Sequence, residues 1–315
     1  MVEKTFKTYD EMIGLLRSRN MSIPDGTAKR KAKILLQREG YYNIVNGYKR
    51  LFLNSLEPEE YKEGTTIDEL FALYAFDRSI REIFLRAILH IETNVKNLIS
   101  YTISEHYGHD NYLLYKNFDT SRKNSGEHIS KLIYNVQGQI AAHALDPNIA
   151  HYLKNHGYIP MWVLNSILSF GNMSKFYSNM KQQDRQQVSK VFCLQENTLA
   201  NFLMYLSSIR NFSAHGNRLY CFKSTRALSD TSIHSNLFIN KKNGHYVRGR
   251  NDLFGAVIII RYLLSYREFN RFYSELNGAI NKLSSKITTI SIDDVLNEMG
   301  FPQNWKDIRA RDIKK

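Results

Sequence analysis

The run Arg210-Asn211-Phe212-Ser213-Ala214-His215 sets a guanidinium, a carboxamide and an imidazole within six residues. Cleaving a phosphodiester beside a 2′-hydroxyl without a metal needs a proton acceptor for that hydroxyl, a donor for the leaving 5′-oxygen, and positive charge on the phosphate. Histidine exchanges a proton near pH 6.5, and the arginine fork pairs with two phosphate oxygens. On a helix Asn211 and His215 share a face, whereas Arg210 lies about 140° around from His215. Either Arg210 reaches around, or the helix ends near Gly216. A plainer reading has Arg210 paired with an acid and His215 capping a helix carboxyl end, where the dipole favours a cation. Against it, Arg210, Arg218, Lys223 and Arg226 come with no Asp or Glu between positions 210 and 226.

The motif must be carried by a helix. From Asn197 the residues Leu199, Phe202, Leu203, Leu206 and Ile209 form an apolar stripe that runs into Arg210. The longest helical pattern, Ile67 to about His106, follows the Gly64-Thr65-Thr66 break and predicts a central scaffold helix. Two short helices are predicted before it, Tyr9 to Arg19 and Thr27 to Glu39, the second capped by Asp25 and stopped by Gly40. After it come a loop from Asn111 to Ser125 and a helix near Glu127 to Ala144. Another helix opens at Pro160 and is interrupted by Gly171. The last two helices are predicted near Asp252 to Tyr273 and Asp293 to Met299. Asn243-Gly244 predicts a hairpin within Phe238 to Val247, flanked by Lys241, Lys242, Arg248 and Arg250.

A chain of 315 residues with 43% hydrophobic and 23% charged residues and five prolines can bury a sizeable core, which excludes a disordered chain. Forty-three Lys plus Arg against thirty Asp plus Glu give +13, which favours a polyanionic partner such as nucleic acid. Arg17 to Arg50 holds nine of these cations against Asp25 and Glu39. Lys29, Arg30, Lys31 and Lys33 are expected to contact RNA phosphates. Tyr41, Tyr42, Tyr48 and Phe52 would either stack on bases or line the core. Cys193 and Cys221 are expected to be ordinary buried thiols of a cytoplasmic protein. Met1 to Asp10 lacks the apolar stretch of a signal peptide, and Arg261 interrupts the most apolar window, Phe254 to Leu264, so no membrane span is expected. The spacing of His106, His109 and Asp110 fits no standard ligand set, so neither metal nor other cofactor is expected.

Several separated blocks resemble one family, the abortive-infection proteins of the AbiD and AbiF type, placed in the HEPN superfamily. The blocks run from Gly40-Tyr41-Tyr42-Asn43-Ile44-Val45-Asn46-Gly47-Tyr48 through Tyr74-Ala75-Phe76-Asp77-Arg78 and Ile91-Glu92 to Pro160-Met161-Trp162 and Ser169-Phe170-Gly171. Arg210-Asn211 with Ala214-His215, and Gly300-Phe301-Pro302 before Asn304-Trp305, complete the set.

The resemblance implies an all-α fold and an Arg-x4-6-His ribonuclease site, carried onto Arg210 and His215 with Asn211 inside the motif. It also implies a homodimer, because such sites are often formed by two facing motifs, and a small non-coding RNA as a further partner. Lys96 stands where the family has arginine. Glu92 and Asp77 are the candidate acidic partners of Arg210 or orienters of His215, although Glu92 and Lys96 could be only a surface i, i+4 pair. Arg218 joins the hairpin cations as a candidate RNA contact. The organisation expected is a basic helical region over 1–65, a HEPN-type helical bundle over 66–230, and a basic hairpin with C-terminal helices over 231–315. Two functions compete: a metal-independent endoribonuclease acting in phage defence, and a catalytically silent RNA-binding HEPN module.

Overall fold

The computed structural model describes residues 5–314, so the first four residues of the Met1 to Asp10 stretch lie outside it. It is all-α apart from two small ribbons. Helix α1 (Tyr9–Ser18) starts at Thr8, whose hydroxyl and the Glu11 carboxylate cap each other's backbone amides. Helix α2 (Thr27–Glu39) has Gly26 at its N-cap, not the expected Asp25. The Asp25 carboxylate is instead held by Arg17 at 2.8 Å. A π-turn (Tyr42–Asn46) and a 3-10 turn (Lys49–Phe52) lead into the ribbon β1 (Leu53–Leu56) and β2 (Glu59–Tyr61), which the sequence pattern did not indicate.

Helix α3 (Ile67–Tyr107) is the scaffold, about 60 Å long at 1.5 Å per residue. Thr66 and Glu69 form its capping box. The other Glu69 oxygen accepts the Thr288 and Thr289 amides at 2.6 and 2.9 Å, tying the C-terminal region to the start of α3. Helices α4 (Ser125–Ala142), α5 (Pro147–His156), α6 (Met161–Leu164), α7 (Phe170–Asn179), α8 (Gln182–Lys190) and α9 (Glu196–Ala214) follow. Gly171 does not interrupt a helix: α6 ends at Leu164, and Ser169 starts α7 by accepting the Asn172 amide, which leaves Gly171 inside it.

Helix α10 (Ser232–Asn236) precedes the hairpin of β3 (Lys241–Lys242) and β4 (His245–Tyr246). Asn243 and Gly244 have φ of 52° and 78°, the paired left-handed residues that a type I′ turn needs. The helix expected from Asp252 to Tyr273 is two, α11 (Leu253–Leu263) and α12 (Tyr266–Ser284), because Ser265 and Glu268 cap a new start. Arg261 is buried and donates to the carbonyls of Ile308 and Ala310, fastening the C-terminal turn. Helix α13 (Ile292–Glu298) ends at Gly300, where φ is +81° and an added Cβ would lie 2.1 Å from Asp252. Only glycine fits there. Among the described residues no helix is long and apolar enough to cross a membrane.

Helices α9 and α12 both pack along α3, and α9 also packs against α7, α8 and α11. Leu199, Phe202, Leu203, Leu206 and Ile209 are fully buried in these contacts, so the motif stands at the end of a helix anchored in the core.

Candidate active site

Helix α9 ends inside the motif. His215 is its C-cap, and Gly216 adopts φ +70°. The Gly216 amide donates to Ser213 O and the Asn217 amide to Phe212 O, both at 3.2 Å, the two reversed bonds of a Schellman end. Of the two arrangements open to the sequence, the helix end near Gly216 is the one found. Asn211 and His215 are exposed, Ser213 is buried, and Arg210 is about one-third exposed.

The turn after His215 is fixed from α3. Arg81 Nη1 donates to Asn217 O at 3.1 Å and Gly216 O at 3.4 Å, and to Asp77 Oδ2 at 2.6 Å. Asp77 also accepts the Tyr48 hydroxyl at 2.8 Å and the Tyr220 amide at 2.7 Å. Burial pushes the Asp77 carboxyl above its ordinary range, and the Tyr220 amide, the Tyr48 hydroxyl and the Arg81 charge oppose that shift. Asp77 therefore holds the backbone following His215 and touches neither Arg210 nor His215. Arg81, one helical turn beyond Asp77, completes this clamp. Its i, i+4 spacing from Asp77 was the available sequence signal.

Arg210 meets the other acid. Its Nε approaches Glu92 Oε2 at 3.8 Å, and Glu92 Oε1 holds Lys96 Nζ at 2.8 Å. Glu92 is 6% exposed, so this is not a surface pair. Lys96 Nζ donates onward to Leu168 O at 2.6 Å, and Asn165 Nδ2 donates to Lys96 O at 3.0 Å. The segment between α6 and α7 is thereby tied to the same acid.

The amino-terminal aromatics divide. Tyr48 and Phe52 are core residues, with Tyr48 stacked on Tyr220 at 5.4 Å, and the Tyr41 hydroxyl is buried; Tyr42 is 77% exposed. Lys29 and Lys33 reach Asp10 at 3.5 and 2.8 Å and Lys31 reaches Asp68 at 2.8 Å, while Arg30 is exposed. Arg218 donates to Gly47 O at 2.8 Å. On the hairpin Lys241 and Lys242 are exposed, with the Lys241 ammonium 4.4 Å from the Tyr246 ring centre. Arg248 bonds Asn297 and the Phe301 carbonyl, and Arg250 pairs with Asp230 at 3.3 Å, so both fasten the base of the hairpin. Cys193 is exposed at a turn with φ +54° and Cys221 is half-buried, in place of the two buried thiols expected.

The family model described as Abi-like protein matches residues 34–221, more than half of the chain. The chain belongs to the Abi-like protein family. In this Abi-like protein the matched span opens within α2 and closes at Cys221. It includes Asp77, Glu92, Arg210, Asn211 and His215, and leaves out the basic hairpin and the Gly300-Phe301-Pro302 block. No curated protein and no solved structure matches the chain.

Proposed function

We propose that this Abi-like protein is a metal-independent endoribonuclease of the HEPN type, active as a homodimer in which two Arg210–His215 turns face each other. Membership of the Abi-like family supports a part in abortive-infection defence. The observation that carries the reading is the Schellman end of α9, which leaves the His215 imidazole exposed on a turn clamped by Arg81 and Asp77, with Arg210 held at Glu92.

His215 takes or gives the proton, and Arg210 meets the charge that builds on the phosphate. One chain supplies one such imidazole, whereas the reaction removes a proton and donates one, so two facing copies provide the complete set. A two-fold axis achieves this with one self-complementary patch. The competing silent RNA-binding module is favoured by the C-cap position of His215, where an imidazolium also suits the helix dipole.

End chemistry separates the two readings. Incubation of the purified chain with RNA in EDTA is expected to leave 2′,3′-cyclic phosphate ends. Intact RNA, or 5′-phosphate ends formed only with magnesium, would overturn the proposal.

A further inference from the structure

An open cleft of about 1050 Å³ lies between α4, α7, α9 and residues 222–226. Arg122, Lys131, Lys175, Arg185, Lys223 and Arg226 line it, and no Asp or Glu does. Six cations far apart in the chain are thereby brought onto one concave surface, and none of them is among the amino-terminal or hairpin basic residues.

One of the six is buried. Arg185 is 3% exposed, and its Nε has no hydrogen-bond partner among the described residues. Its Nη1 donates to Asn197 Oδ1 at 3.1 Å. The Asp119 carboxylate approaches Arg185 only to 3.9 Å and is already held by Arg122 at 3.0 Å. Two guanidinium groups thus share the Asp119 carboxylate, and although Arg185 also feels the charge of Glu196, neither acid hydrogen-bonds it among the described residues. Buried charges are ordinarily paired, so this wall is built to receive an anion from outside. Lys131, Lys175 and Arg226 are exposed around it.

We infer that the cleft is a track for the phosphate backbone of single-stranded RNA, with Arg185 and Arg122 taking one phosphate and Lys131, Lys175 and Arg226 its neighbours. The inference rests on the ribonuclease reading for the nature of the strand and extends it to how the strand arrives. Along α9 the lining runs from Asn197 to Phe212, about 22 Å at 1.5 Å per residue. That length takes at most about six nucleotides at the ~3.4 Å axial spacing of a stacked strand. Phe212 and the carboxamide of Asn135 also line it and suit the face and edges of unpaired bases, whereas the Asn201 carboxamide is taken up by Ala227 O and the Ser229 amide. Asn211 and Phe212 are the last lining residues on α9, and His215 follows Asn211 by one helical turn on the same face. The track therefore leads to the imidazole.

The test measures binding of a fluorescein-labelled single-stranded 12-mer RNA to full-length His215→Ala protein across a salt series. The triple variant Lys131→Gln, Lys175→Gln, Arg226→Gln is added to that background. At about 0.7 per phosphate contact, the slope of log affinity against log salt should fall by about two. A charge-matched triple at exposed positions, Lys282→Gln, Lys286→Gln, Lys306→Gln, should keep the parent slope. Equal slopes for the two triples would overturn the track, as would a failure of the RNA to bind. Binding is read on the inactive protein, so failure of the wild type to cleave would sink the catalytic reading and leave this result standing, and the converse holds.

Discussion

Arg210 Nε stands 3.8 Å from Glu92 Oε2, and both atoms are buried without a hydrogen-bond partner among the described residues. The separation is that of an ion pair too long for a hydrogen bond. Leaving two such groups unbonded costs about 1–3 kcal/mol each. Glu92 thus holds the Arg210 stem by charge while the guanidinium fork retains donors for a phosphate.

Glu92→Gln removes the acid that Arg210 and Lys96 share. Breaking a buried pair by deleting one partner costs about 3–5 kcal/mol, so a denaturant melt should show a loss of that order. Cleavage should fall as well, and Glu92→Asp should recover more of it than Glu92→Gln does. A fully stable and fully active Gln variant would show that Arg210 needs no acid.

Arg81→Ala releases the Gly216 and Asn217 carbonyls while leaving the core of α9 untouched. A displaced catalytic turn can lose up to about 100-fold in rate, so kcat should drop with little change in KM. Asp77→Asn should act in the same direction and speed hydrogen exchange of the Tyr220 amide, which Asp77 accepts. Unchanged kcat in both variants would mean that the clamp has no part in positioning His215.

Helices α3 and α9 were legible in the sequence because their apolar residues recur at three- and four-residue steps, and because the Gly64-Thr65-Thr66 break precedes α3. Helix α8 was not. Of its buried residues Asp184, Arg185, Val188 and Ser189, only Val188 is apolar, so no stripe could reveal it. The α11–α12 boundary was missed because the apolar run of α11 leads straight on to Phe269, although Ser265 and Glu268 carry the capping-box spacing of a new start. The Arg210–Glu92 pairing was anticipated as a candidate because both residues lie in recognisable blocks. The Asp77–Tyr220 bond spans 143 positions, which no local pattern encodes. The cleft was illegible for the same reason, since its cations are scattered from Arg122 to Arg226.

Asp252 caps α11 by accepting the Gly249 and Gly255 amides. Burial pushes its carboxyl up to about 6, against those hydrogen bonds. The folded value lies above the ordinary ~3.9, so this group's share of stability is full below about pH 4 and is lost as pH rises through about 6. The stability advantage of wild type over Asp252→Asn should therefore be smaller at pH 7 than at pH 4. A difference that does not change between those pH values in denaturant melts would contradict the assignment.

The proposed homodimer requires that activity per chain fall on dilution below the dimer constant. An excess of His215→Ala chains mixed with wild type should lower activity beyond simple dilution, because mixed pairs lack one imidazole. A verified monomer cutting RNA at full rate would exclude the composite site, and Glu92 would become the first candidate for a second acid-base group within one chain.

The most direct measurement sequences RNA ends after brief expression of the wild type, Arg210→Ala and His215→Ala, with each variant shown to be folded. Loss of one acid-base group typically costs about 100- to 10,000-fold. New RNA ends should therefore accumulate with the wild type and vanish with both variants. The same ends at the same rate from His215→Ala would contradict the assignment of the catalytic turn.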